Sequence, residues 1–258
     1  MSKDTNKIIK NRHVLIVGAG SSLSLYWEEI KKFIAKNNVI TVGINRINHI
    51  LTPDYHLWAD KRVYNNFGGE IDKKSIIVFG DQFDKKTREA HWSGPYEVIR
   101  YTKLKWKTSY DDPTHKYYGM GDINYKKKGK KFYGVFRTAG SLAILWSHVN
   151  EASRISVVGM DGYTFYSKEE LSTRTKERRQ HCYGKGYTDS YARNSSPRSL
   201  GDDKKKEEAF HKRCMVKDGD IYRTLRAIKK YGVKFEIITP TVYSDFYNPK
   251  ILDKGSVK

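Results

Sequence analysis

Apolar residues in this chain come in short continuous runs that alternate with amphipathic stretches, which predicts a mostly parallel β-sheet with helices on both faces. The first run, Val14 to Val17, ends in Gly18, Gly20, Ser21 and Ser22. A strand buried on both faces reads in this way, continuous rather than alternating. Leu25 to Ala35 then sets Leu25, Tyr26, Ile30, Phe33 and Ile34 at helical spacing, with Ser22 or Ser24 as N-cap. Further strands are expected at 39–45, 55–60, 75–80, 97–101, 154–163 and 233–240. Helices are expected over 138–149, buried, and from about Lys204 to Tyr231. The fold class is α/β, a single Rossmann-like domain.

Two stretches break the rhythm. Residues 103–133 are basic, rich in Tyr and Gly, and include KKKGKK at 126–131, which predicts a mobile surface excursion. Residues 167–203 have little apolar periodicity and read as a lid or an acceptor-side loop. The expected organisation is a core over 1–166, that loop, and a segment 204–258 whose helix and strand complete the core.

Charge adds a partner to this picture. Lys and Arg number 49 against 29 Asp and Glu, a formal net charge of +20 in 258 residues. Charge of that size acts on partners and association rates rather than on the fold, and it implies something anionic. Residues 100–137 carry eleven basic and three acidic residues, and residues 168–213 carry thirteen and eight. Trp106, Tyr110, Tyr117, Tyr118, Tyr125, Tyr183, Tyr187 and Tyr191 interleave them. No apolar run reaches the length of a membrane span, and the polar start MSKDTNKIIKNRH does not read as a signal peptide, so a cytoplasmic protein is expected. Cys182 and Cys214 form no CxxC pair, which argues against a zinc site or a disulfide scaffold.

Three segments carry candidate chemistry. The turn GAGSS offers backbone N–H groups to a phosphate, although a plain tight turn would read the same. Leu23 stands where a dinucleotide fingerprint has its last Gly, and the second strand ends in Asn45 rather than an acid, which argues against NAD. In FRTAGS, Arg137 precedes a helix start with Thr138, Gly140 and Ser141, a setting suited to a phosphate or carboxylate. GMDGYTFY, 159–166, follows a buried strand where ligand contacts collect in open α/β sheets.

Taken in order, VLIVGAGSSL, VGINRI, HLWAD, FRTAGSLAI, ISVVGMDGYTFY and FHKRCMVKDGDIYRTLRAIKKYGVKFEIITP resemble the bacterial family 42 sialyltransferases and their relatives. The resemblance covers most of the chain. It implies a GT-A-like variant Rossmann fold that binds a nucleotide sugar, CMP-linked in that family, with UDP- or GDP-linked donors as alternatives, and with neither metal nor other cofactor. Donor-binding positions would be Gly18, Ala19, Gly20, Ser21, Ser22, Asn45, Asp60, Thr138, Gly140 and Asp161. Tyr163, Tyr166 and Arg137 would stabilise the departing phosphate, and His211, ten residues before Ile221 and ahead of a D-I-x-x-x-L-x-x helix, would be the general base. Ala19 and Ala139 stand where the family has Asn and Ser, so the donor can differ from CMP-sialate.

Such a reaction needs donors aimed at the phosphate and a base near neutrality, and it inverts the anomeric centre. A surface His between Phe210 and Lys212 is the ordinary alternative for His211, and His181 is its nearest competitor. Asp218 and Asp220 form a DxD pair that could suggest a metal, but acidic capping of a helix start is the expected role. Lys126, Lys127, Lys128, Arg178, Arg179 and His181 are expected to meet the acceptor beside the donor pocket. The mixture of cations and rings favours hydroxymethylated DNA, as in viral DNA hypermodification. Lipooligosaccharide or another anionic glycolipid is the alternative acceptor. A nucleotide pyrophosphotransferase and a non-catalytic nucleic-acid binder are the other readings.

Overall fold

The computed structural model describes residues 9–103, 126–128, 131–134, 138–165 and 204–252. The strands are β1 (His13–Val17), β2 (Ile40–Ile44), β3 (Tyr55–Trp58), β4 (Ile76–Gly80), β5 (Tyr96–Lys103), β6 (Lys126–Lys128), β7 (Lys131–Gly134), β8 (Arg154–Val158) and β9 (Glu236–Ile237). The helices are α1 (Ser22–Leu25), α2 (Trp27–Asn37), α3 (Lys61–Phe67), α4 (Lys85–Glu89), α5 (Ala139–Val149) and α6 (Lys204–Lys230).

The strands form one sheet in the order β6-β7-β5-β4-β3-β2-β1-β8-β9. Every neighbouring pair is parallel except β6 with β7. This is the expected α/β, Rossmann-like architecture. From β1 the chain steps outward through β5, and α5 then returns it to β8 on the other flank of β1. Strand order therefore reverses between β1 and β8, where the carboxyl ends of an open parallel sheet leave a crevice.

The continuous apolar runs serve two layers at once. Val14 and Ile16 of β1, with Tyr55, Leu57, Val78 and Val157, pack under α5 and the buried Leu225 and Ile228 of α6. Leu15, Val17 and Val158 point the other way, onto Leu23, Ile30 and Phe33. Trp58, Ile77 and Phe79 meet Val63, Tyr64 and Phe83 in a third cluster. Helix α6 ends as a Schellman turn, with Gly232 at φ +96°, its N–H on Lys229 O and the Val233 N–H on Ile228 O.

Three expectations need correcting. The helix expected over 25–35 is broken at Tyr26, and Ser22 is no N-cap because its hydroxyl is drawn to Asp161 instead. The excursion 103–133 contains strands: β7 pairs with the outer half of β5, and β6 folds back on β7. A backbone ladder forms regardless of side-chain polarity, so lysines did not exclude it. The strand expected at 233–240 is reduced to Glu236–Ile237; the Ile238 N–H still donates to Val157 O in β8, and Thr239 Oγ1 accepts the Gly159 N–H from the loop after β8.

Candidate functional site

At the crevice, the turn after β1 and the loop after β8 are pressed together. The Gly18 N–H donates to Val158 O and the Gly20 N–H to Gly159 O, both at 2.9 Å. A Cβ on Gly18 would stand 2.6 Å from Gly159 O, and one on Gly20 would stand 2.6 Å from the Asp161 carboxylate, so both glycines are required by contact. Asp161 is buried and accepts the Ser22 N–H at 2.8 Å as well as the Ser22 hydroxyl. The anion that this turn meets is thus the chain's own carboxylate. The expectation that the N–H groups of Gly18, Gly20 and Ser22 cradle a donor phosphate is corrected accordingly. Asp161 is likewise a clamp between two loops, with its backbone O on the Val242 N–H at 2.9 Å.

A second carboxylate organises the same loop from the opposite side. Asp218 Oδ1 accepts the Tyr163 N–H at 2.8 Å and the Tyr243 hydroxyl at 2.9 Å, and Oδ2 accepts the Thr164 N–H and Oγ1, both at 2.7 Å. Those four donors match the four lone-pair positions of a carboxylate. Burial and the adjacent Asp218 charge hold the Tyr243 phenol far above its ordinary range, which keeps it a donor. Asp218 and Asp220 are therefore not the helix start that was expected: α6 begins at Lys204 and both lie within it. Two residues apart on a helix they point to different sides. Asp220 is fully buried, with Arg223 3.7 Å away. Tyr163, held at its N–H by Asp218, lies half-buried at the crevice with the Lys217 ammonium 4.6 Å from its ring centroid.

Helix α5 brings its amino end to the same loop. Thr138 Oγ1 accepts the Ser141 N–H at 3.1 Å in a capping box, and among the described residues the cap leaves the first-turn N–H groups of Ala139 and Gly140 unengaged. A Cβ on Gly140 would be 3.4 Å from Met160 Cε, an ordinary contact that packs this turn against the β8 loop.

Further along the carboxyl edge, Asn45 adopts φ +52°, and its Oδ1 accepts the Ala59 N–H at 3.2 Å. Its carbonyl accepts the Nε2–H of His56, a fully buried histidine that the sequence pattern did not single out. Asp60 is the N-cap of α3, with Oδ1 2.8 Å from the Arg62 N, so its carboxylate is engaged locally rather than offered to a donor. Burial lowers the His56 imidazole from 6.5 to about 4. Because the unfolded chain binds this proton more readily, stability present above pH 6.5 falls as the pH drops toward 4, by about 3 kcal/mol from this residue. Urea unfolding of wild type and His56→Gln across that interval should show a shallower pH slope in the variant, and parallel slopes would remove His56 as the cause.

His211 is the eighth residue of α6 rather than a residue ahead of the helix. From Asp218, at the carboxyl edge, it lies seven residues toward the amino end, about 10 Å further out along the axis. Lys126, Lys127 and Lys128 form β6, six strand positions from β1, about 29 Å at the usual spacing. They do not adjoin the crevice as expected. Arg137, Tyr166, Arg178, Arg179, His181 and the proposed lid lie outside the described residues.

One His/Ser/Glu cluster sits at the amino half of the sheet. His13 Nε2 lies 2.9 Å from Ser156 Oγ, which donates to Glu236 Oε1 at 3.1 Å. Serine stands in the middle and is fully buried, so the imidazole is not between nucleophile and acid as hydrolytic triads need. Among the described residues no group of acids, His and Cys is placed to hold a metal, and no helix is long and apolar enough to cross a membrane. Compared with protein-family models and with curated proteins, the chain matches none.

Proposed function

We propose that this chain is an inverting glycosyltransferase that moves a sugar from a nucleotide-sugar donor to a hydroxyl of a polyanionic acceptor, hydroxymethylated DNA. The observation that carries this reading is the convergence, at the reversal between β1 and β8, of the α5 amino end, Tyr163 and the outward-running half of α6. The family 42 resemblance supports it, as does the +20 charge for the acceptor.

In this reading the donor phosphate lies at the Ala139 and Gly140 N–H groups with Arg137 and the Tyr163 and Tyr166 hydroxyls, not in the first glycine turn. The acceptor oxygen attacks the anomeric carbon, the carbon–oxygen bond to phosphate breaks, and the phosphate leaves with the electron pair. His211 takes the acceptor proton. Neutralising the leaving phosphate is the chief electrostatic task, and N–H and hydroxyl donors perform it without a metal.

Melting the protein with millimolar CMP-, UDP- and GDP-sugars tests the donor. Binding at a hundredfold excess over Kd contributes about 2.7 kcal/mol, a rise of roughly 5–10 °C for a chain this size. A rise with ATP and with none of the sugars would support pyrophosphate transfer instead. Transfer to lipooligosaccharide with none to DNA would move the acceptor to the cell surface.

A further inference from the structure

His56 is fully buried in β3, and its Nε2–H donates to the carbonyl of Asn45, the residue that follows β2. Among the described residues its Nδ1 is buried without a partner. The imidazole therefore makes a single hydrogen bond at a position where an apolar side chain would fill the core without desolvating a ring nitrogen. Stability alone does not account for a histidine there. What its one bond holds is the turn by which the chain leaves β2. Asn45 sits at φ +52°, a left-handed conformation that a residue other than glycine keeps only when its surroundings fix it.

All but one of the polar groups of Asn45 are engaged by this turn. Its N–H donates to Leu57 O at 2.9 Å, its carbonyl accepts the Ile47 N–H at 3.0 Å as well as His56, and its Oδ1 accepts the Ala59 N–H at 3.2 Å. A backbone N–H only donates, so the side-chain amide has one orientation: oxygen toward Ala59, with the Nδ2 group left over. Asn45 follows β2 and Ala59 follows β3, so the amide lies across the carboxyl ends of two strands, the first of which adjoins β1 at the crevice. The residue is half-buried, and among the described residues Nδ2 has no partner. We propose that His56 is a positioning residue of the donor site, locking the Asn45 turn so that Nδ2 donates to an acceptor oxygen of the donor's nucleoside. An acid at the same strand end would accept from a ribose hydroxyl, so this subsite has the opposite polarity. The inference rests on the reading of a nucleotide-sugar donor and adds to it the group that sets the subsite.

The test is calorimetric titration with CMP, UDP and GDP, together with thermal melts of each variant without ligand. His56→Leu should weaken the best-bound nucleotide about tenfold, the scale of one hydrogen bond to a ligand, while melting no lower than wild type. His56→Gln, whose Nε2–H reaches toward the same carbonyl, should bind within about threefold of wild type. Asn45→Gly takes the left-handed turn freely but lacks the amide, so it should lose as much as His56→Leu. The double variant should lose little more than either single one, because both remove the same contact. Losses that multiply in the double variant would overturn the proposal and leave the donor reading intact. So would a His56→Leu protein that binds as wild type, and one that also melts lower would make His56 a core residue only. Wild-type protein that binds none of the three nucleotides would overturn the donor reading itself, and the subsite with it. Should His56→Leu fail to fold, His56→Asn, too short to reach the carbonyl, takes its place under the same criteria. In isotope-labelled wild type the Asn45 side-chain amide must then also shift on addition of the nucleotide, and an unmoved amide signal sinks the idea.

Discussion

Replacing Asp218 with Ala is expected to lower the melting temperature by roughly 10 °C, corresponding to about 3–5 kcal/mol. Its carboxylate accepts four hydrogen bonds, including the hydroxyl of the buried Tyr243 and the Tyr163 and Thr164 N–H groups. Bonds to a charged acceptor contribute about 1.5–3 kcal/mol each, but they are not additive, and donors that regain water recover part of the loss. Tyr243 cannot recover it without opening the core. Asp218→Asn keeps one acceptor oxygen and turns an N–H toward two of the donors, so it should lose about half as much. Thermal melts of the two variants check this. A drop below about 2 °C in Asp218→Ala would mean that the loop after β8 holds its own shape.

Removal of the imidazole in His211→Ala is expected to slow sugar transfer by about 10²–10⁴-fold while the donor-induced rise in melting temperature persists. A base acts on the acceptor proton and not on the donor, so binding and chemistry should separate. The acid limb of the pH–rate profile, which reports loss of the neutral form of the base, should vanish in the variant. His181→Ala, the competing assignment, should retain that limb. Wild-type turnover in His211→Ala would take the residue out of the mechanism.

The legibility of the chain followed the physics of each signal. β1, β2, β3 and β4 were readable because strands buried on both faces need unbroken apolar runs. α5 was readable for a similar reason, with Thr138 as a cap and apolar residues nearly all round. β6 and β7 were hidden because KKKGKKFYG has the polarity of a loop, and only pairing to β5 makes it a hairpin. The symmetry of lysines about Gly129 was the one local hint. His56 was invisible because one polar residue inside YHLW is compatible with either face, and its burial depends on the carbonyl of Asn45.

The candidate site divides along the same line. A Gly/Ser turn after a buried strand and a second Gly-rich segment after another are local features, and the sequence alone was enough to place both at strand ends. Which groups those segments bind is a long-range matter. Ser22 meets Asp161 across 139 residues, and Tyr163 meets Asp218 across 55. Nothing in a local pattern distinguishes an N–H waiting for a phosphate from one already held by a distant carboxylate. Periodicity and turn chemistry determined the elements and their order, because those depend on neighbours a few residues away. The tertiary structure decided strand adjacency, and with it that the first turn is filled by Asp161 and that the β6 lysines stand at the sheet's far edge. Strand pairing is a contest among all edges at once, and no single segment carries its outcome.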